Sequence, residues 1–199
     1  LYFQVSFSWA LLGGHLHAHN GRITLENEQW EEAAWYYARA NRWFPYNQHW
    51  LYGQATAQLN TGQINEALLA LEQTLKYSPY YGAALSSVGH EMAKAGNIEV
   101  ARAMAEQGEA VTPEFWSYHF LDALIALNGQ DRAAGAEALV RSRHYSMTPV
   151  VQVLQTSAQL SFAMQDLNVA RYTVEQGLSA SPTSPELLQL RGQIYHTGG

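Results

Sequence analysis

Between residues 64 and 75 the apolar side chains fall at Ile64, Ala67, Leu68, Leu71 and Leu75, which is i, i+3, i+4, i+7 and i+11. That spacing covers one face of a helix, so the segment reads as amphipathic, with its stripe turned to a core. Small residues recur on a longer period, at Gly21, Ala55, Gly89, Ala123, Ala158 and Gly192, in steps of 34, 34, 34, 35 and 34. A second ladder runs Ala33, Ala67, Ala101, Ala136 and Ala170, in steps of 34, 34, 35 and 34. Prolines follow at Pro45, Pro79, Pro113, Pro149 and Pro182.

A unit of this length holds two helices of about 14 residues and two short turns. Small residues at fixed places let the paired helices approach closely. Proline stops the second helix and opens the next unit. Gly62, Gly96 and Gly129 stand where the first helix of a pair should end, ready to supply a left-handed cap. In the fourth unit the two ladders lie 13 apart rather than 12, which places one inserted residue there, and Pro149 is displaced by one more, which predicts a longer connection over Arg143–Thr148. Ser184 followed by Pro185 reads as an N-cap and first helical residue, so 184–196 forms a lone final helix.

A small residue at the eighth place, Ala at the twentieth and Pro near the thirty-second resemble the tetratricopeptide repeat, and residues 14–182 meet that pattern five times. Other places of the pattern are loosely kept. Where Tyr is common at the eleventh place this chain has Thr24, Gln58, Met92, Ala126 and Ser161, and Tyr195 restores it in the last helix. The resemblance implies an all-α, right-handed α-solenoid of antiparallel helix pairs. Its organisation is expected to be five pairs (14–47, 48–81, 82–115, 116–150 and 151–183), with a capping helix and tail over 184–199. Residues 5–13 are expected to cap the N-terminal end, and Leu1–Gln4 match the end of a tobacco-etch-virus protease site, a cloning remnant.

In that family the first helix of each pair lines a concave groove. Carried over place by place, the groove is expected to contain His15, Ala18, His19 and Arg22; His49, Tyr52, Thr56 and Asn60; and Ser86, Ser87, His90 and Lys94. It continues with Ser117, Phe120 and Leu124, then Gln152, Gln155 and Gln159, with Tyr80 and Tyr81 flanking it from a turn. Such a surface suits hydrogen bonding to peptide backbone or sugar, with aromatic faces for stacking. The bland alternative is a set of solvated positions with no ligand. Members that clamp a C-terminal carboxylate need a lysine at the fifth place; here it holds Ala18, Tyr52, Ser86, Phe120 and Gln155.

Composition narrows the classes further. Net charge is −6 and the basic residues are scattered, which argues against nucleic acid as a partner. Without cysteine there is no disulfide framework, thiolate zinc site or cysteine nucleophile. No phosphate loop, Ser-His-Asp order or dinucleotide fingerprint occurs, so the chain reads as a non-catalytic scaffold for a protein or peptide partner, without a cofactor. His15 and His19 share a helix face and are a candidate metal pair, with His17 pointing away. Glu31 and Glu32, beside Glu26 and Glu28, are accounted for by the dipole at a helix start.

The six rings Trp30, Trp35, Tyr36, Tyr37, Trp43 and Phe44 exceed what one helix face buries, and part of the group is expected to meet whatever precedes residue 5. The apolar Val5–Gly14, the run Glu-Gln-Trp-Glu-Glu-Ala from Glu28, Tyr-Tyr-x-x-Ala from Tyr36 and Phe-Pro-Tyr-Asn from Phe44 look like the tails of bacterial O-antigen ligase and polymerase-like membrane proteins. That resemblance covers roughly residues 5–50. It implies a periplasmic, cell-envelope accessory domain following a membrane region, whereas composition alone is compatible with cytosol or periplasm.

Overall fold

The computed structural model describes residues 2–197, with side chains from residue 12 onward. Residue 1 and the side chains of the apolar start therefore lie outside the described residues. Eleven α-helices and no strand are found among those described. They are α1 (Tyr2–Glu26), α2 (Trp30–Trp43), α3 (Gln48–Asn60), α4 (Ile64–Tyr77), α5 (Gly82–Lys94) and α6 (Ile98–Glu109). After these come α7 (Trp116–Asn128), α8 (Arg132–Tyr145), α9 (Val151–Ala163), α10 (Leu167–Ala180) and α11 (Pro185–Thr197). The helix α1 is continuous, without a break at residue 13. The chain divides into two compact units, Leu1–Val88 and Gly89–Gly199.

In each unit the core is assembled from three consecutive helices at a time. Ala18 of α1, Tyr37 and Ala40 of α2 and Trp50 of α3 form one cluster; Ala55 of α3, Ala70 and Leu71 of α4 and Ala84 of α5 form the next. In the second unit Ala93, Ala101, Ala105 and Leu121 meet, then Ala123, Ala138, Leu139 and Val153. Ala158, Val174, Leu178, Leu187 and Ile194 complete the series against α11. A helix pair thus leaves an apolar face that the first helix of the next pair covers, which makes each pair depend on the one after it.

The left-handed caps recur at Glu28 (φ 59), Gly62 (φ 76), Gly96 (φ 78), Gln130 (φ 61) and Gln165 (φ 63). Their steps are 34, 34, 34 and 35, so this backbone place repeats although its residue type does not. Gly129 is not the left-handed residue. It is the C-cap of α7 at φ −77, and the turn passes to Gln130.

The inserted residue also moves. Ala136 is only half-buried while Gly135 is buried beneath Leu127, so Gly135 holds the ladder place and the offset from Ala123 is the usual 12. Farther along the second helices, Ala40, Thr74, Gly108, Ser142 and Gly177 are all buried, in steps of 34, 34, 34 and 35. The extra residue therefore lies beyond Ser142, toward the α8–α9 connection. That connection, 146–150, is one residue longer than 44–47, 78–81 and 181–184, but 110–115 is longer still. There α6 stops at Glu109, two residues short of the place equivalent to Tyr77, where α4 ends.

Candidate functional site

In the first unit two of the expected groove residues, His49 and Tyr52, meet the ring of a third, Tyr81. Tyr81, in the turn before α5, brings its hydroxyl oxygen to 3.1 Å from His49 Nδ1 at the start of α3. Its ring meets His49 edge-on at 5.5 Å between centroids and Tyr52 at 5.4 Å. Burial, and then the neighbouring Tyr52, push the Tyr81 phenol up from its ordinary value. One turn apart, Thr56 donates its hydroxyl to the Tyr52 carbonyl and Asn60 its amide to the Thr56 carbonyl. Tyr80 beside them is 65% exposed. The result is a half-open patch of hydrogen-bonding edges on an aromatic floor.

Other expected positions are placed differently. His15 meets Trp50 edge-on at 5.2 Å, and Phe44 closes the group at 5.7 Å from Trp50. Arg22 pairs with Glu26 one turn on, and His19 is exposed. Ala18 and Ser86 are buried, and Ser87 is half-buried. Within the aromatic group Tyr37 is core at 6% exposure, whereas Trp35 and Trp43 are each 50% exposed. Arg39 lies 4.1 Å over the Trp35 ring, and His17 approaches the same ring edge-on.

In the second unit Phe120 is 6% exposed and Ser117 is buried, so both belong to packing. His90 packs against Phe120 at 5.4 Å. Burial, reinforced by the Lys94 ammonium, lowers its imidazole to about 4, with Glu91 and the Ser117 backbone pulling the other way. Lys94 itself reaches Glu91 at 2.7 Å. Gln155 and Leu124 are half-buried, and Gln152 and Gln159 are exposed. Gln159 lines a cleft of about 700 Å³ with Gln130, Arg132 and Thr156, none of which the repeat pattern had marked.

One constellation went unread in the sequence. Glu109 at the end of α6 lies beside His119 and Asp122 of α7, with one ligand-type atom from each within 4.8 Å of the others. Burial, then the Glu109 charge and a hydrogen bond with Glu109, raise the Asp122 carboxyl to about 6, against the pull of His119 and Arg141. His119 and Asp122 are three apart on one helix face, a relation visible in the sequence. Glu109 joins them only through the α6–α7 turn. The other candidate, His15 with His19, is not part of any such group of three among the described residues.

No known protein-family profile matches the sequence, and no curated protein does either. Solved structures do. The APC/C hetero-tetramer Cut9-Hcn1 matches with TM-score 0.85 and 14% identity over 93% of this chain, which spans only 37% of that one. TTC0263, a thermophilic TPR protein of Thermus thermophilus, matches with TM-score 0.76 and 20% identity over 92% of this chain and 97% of its own. This chain has the tetratricopeptide-type fold. YrrB, described as a TPR protein with an unusual peptide-binding site, shares it with TM-score 0.55 and 11% identity over 88% of this chain and 90% of that one. The tetratricopeptide-type fold is also consistent with the three-helix cores, since each pair in such an array is closed by its neighbour. No described helix is long and apolar enough to cross a membrane.

Proposed function

We propose that this chain is a non-catalytic scaffold that binds an extended segment of a partner protein. The observation that carries the reading is the His49–Tyr52–Tyr81 patch, where hydrogen-bonding edges and ring faces stand partly exposed together. A peptide backbone offers alternating donors and acceptors to such edges, and its side chains pack on the rings. The low net charge density of these positions favours a neutral or mixed segment over a polyanion. The peptide-binding site named for YrrB supports the general class of partner, at a likeness that carries the fold alone.

Selection from a displayed random-peptide library, followed by affinity measurement, tests this. Tyr81→Ala and His49→Ala are expected to weaken the selected peptides at least tenfold, as truncation of a central aromatic anchor does. The control Tyr172→Ala, on a 61% exposed ring of α10, should leave them unchanged. Peptides indifferent to both first-unit variants would remove this patch as the site.

A finer reading makes this domain the periplasmic tail of an O-antigen ligase or polymerase-like membrane protein. It is supported by Trp43, whose indole is half-exposed beside Gly13. Several apolar runs of about 20 residues encoded upstream of residue 5 are the expected finding. An upstream sequence holding none of them would reject it.

A further inference from the structure

We propose that Glu109, His119 and Asp122 form a binding site for one divalent metal ion of the zinc type. The His119 ring is fixed on two sides. Its Nε2 lies 2.9 Å from the Pro113 carbonyl oxygen, and its face stacks on Tyr145 at 5.0 Å and 27°. A carbonyl only accepts, so Nε2 carries a ring hydrogen, which leaves Nδ1 as the nitrogen whose lone pair the neutral tautomer can offer a metal. His119 is 8% exposed, and its Nδ1 is buried without a hydrogen-bond partner. Beside that nitrogen stand the Glu109 and Asp122 carboxyl groups, one ligand atom of each of the three residues lying within 4.8 Å of the others.

The spacing of His119 and Glu109 matches that of two ligands on one metal ion. Nδ1 and Glu109 Oε1 are 3.4 Å apart. Two ligands each about 2.1 Å from a tetrahedral zinc ion are separated by roughly 3.4 Å, the edge of the tetrahedron. Donation of the far imidazole N–H to a backbone carbonyl is also the outer contact that orients metal-binding histidines and strengthens them as ligands. One imidazole with two carboxylates balances a doubly charged ion and leaves a fourth position for water. The Glu109 side chain, 33% exposed, is the side open to solvent. A bound ion would tie the end of α6 to α7 across the long 110–115 connection.

The test is calorimetric titration of zinc chloride into the chelator-stripped full chain near neutral pH, with anomalous diffraction at the zinc edge to locate the ion. One zinc per chain is expected, seated between His119 Nδ1 and the two carboxylates. Glu109→Gln, Asp122→Asn and His119→Gln should each weaken it at least tenfold, and a His15→Gln/His19→Gln double variant should leave it unchanged. His119 is packed in the interior and its replacement can prevent folding, so the more exposed Glu109→Gln, checked by circular dichroism, carries the decision. Absence of binding by the unaltered chain overturns the proposal. So does binding that survives Glu109→Gln and Asp122→Asn, or that disappears in the His15/His19 double variant.

Discussion

Left-handed backbone at Glu28, Gln130 and Gln165 is held by residues with a Cβ, although glycine serves the equivalent place at Gly62 and Gly96. A side chain in that conformation costs roughly 1 kcal/mol against the following carbonyl. Gln130→Gly and Gln165→Gly are therefore expected to stabilise the second unit by about 0.5 kcal/mol each, less than the full relief because glycine frees the unfolded chain. Urea unfolding followed by far-ultraviolet circular dichroism checks it; an unchanged or lower midpoint goes against the argument. His90 gives a pH dependence. Its folded value of about 4 lies below the ordinary 6.5, so folding favours the neutral ring. Its contribution is complete above pH 6.5 and is lost as pH falls toward 4. Asp122 has the opposite sign, since a carboxyl raised from 3.8 to about 6 loses its contribution as pH rises through that range. The two slopes oppose each other, so the comparison must be with a variant. Between pH 7 and 4.5, His90→Gln should lose less stability than the unaltered chain, by about 2 kcal/mol after allowing for solvent at the ring. Parallel losses would assign the acid sensitivity elsewhere.

Among the helices, α11 differs from its predecessors because no further pair follows it among the described residues. Its Leu187 and Ile194 are fully buried and complete the cluster with Ala158 and Val174. Gly192 occupies the small-residue ladder place, yet a Cβ there would meet nothing within 4 Å. At the same place Gly89 faces the Leu121 side chain and Gly21 the Tyr37 ring. The two faces of α11 should therefore respond in opposite directions. Leu187→Ala is expected to cost about 2–4 kcal/mol through the cavity it leaves. Gly192→Ala should stabilise by up to about 1 kcal/mol through helix propensity. Thermal melts of the two variants check the pair, and a destabilising Gly192→Ala would mean that this face is covered in solution. The period was legible at this scale, but the location of its interruption was not. Ala136 looks like the ladder residue because it is alanine, whereas packing gives the place to Gly135, which lies under Leu127. Residue type marks a ladder only where one small residue is available; with Ala133–Ala136 containing four, burial alone distinguishes them.

Across the whole chain, the separation between what was and was not legible follows the range of the interactions. The helices, their pairing and the residues that stop them arise from contacts within a few turns or with the next helix, and these repeat about every 34 residues. That repetition made the all-α repeat fold, and the stripe of Ala67, Leu68 and Leu71, readable without coordinates. Binding surface is less local. A first-helix place that is exposed at His49 is buried at its counterpart Ser117, two repeats on. Tyr81 gathers His49 and Tyr52 from another helix, and Glu109 joins His119 and Asp122 across the 110–115 connection. By itself the amino-acid sequence determined the period, the helix type and the small residues on which the pairs close, since each is set by local sterics and hydrophobic spacing. The tertiary structure alone decided which groove places remain open, where the extra residue sits and which acids surround a buried imidazole, since those depend on side chains that meet across turns.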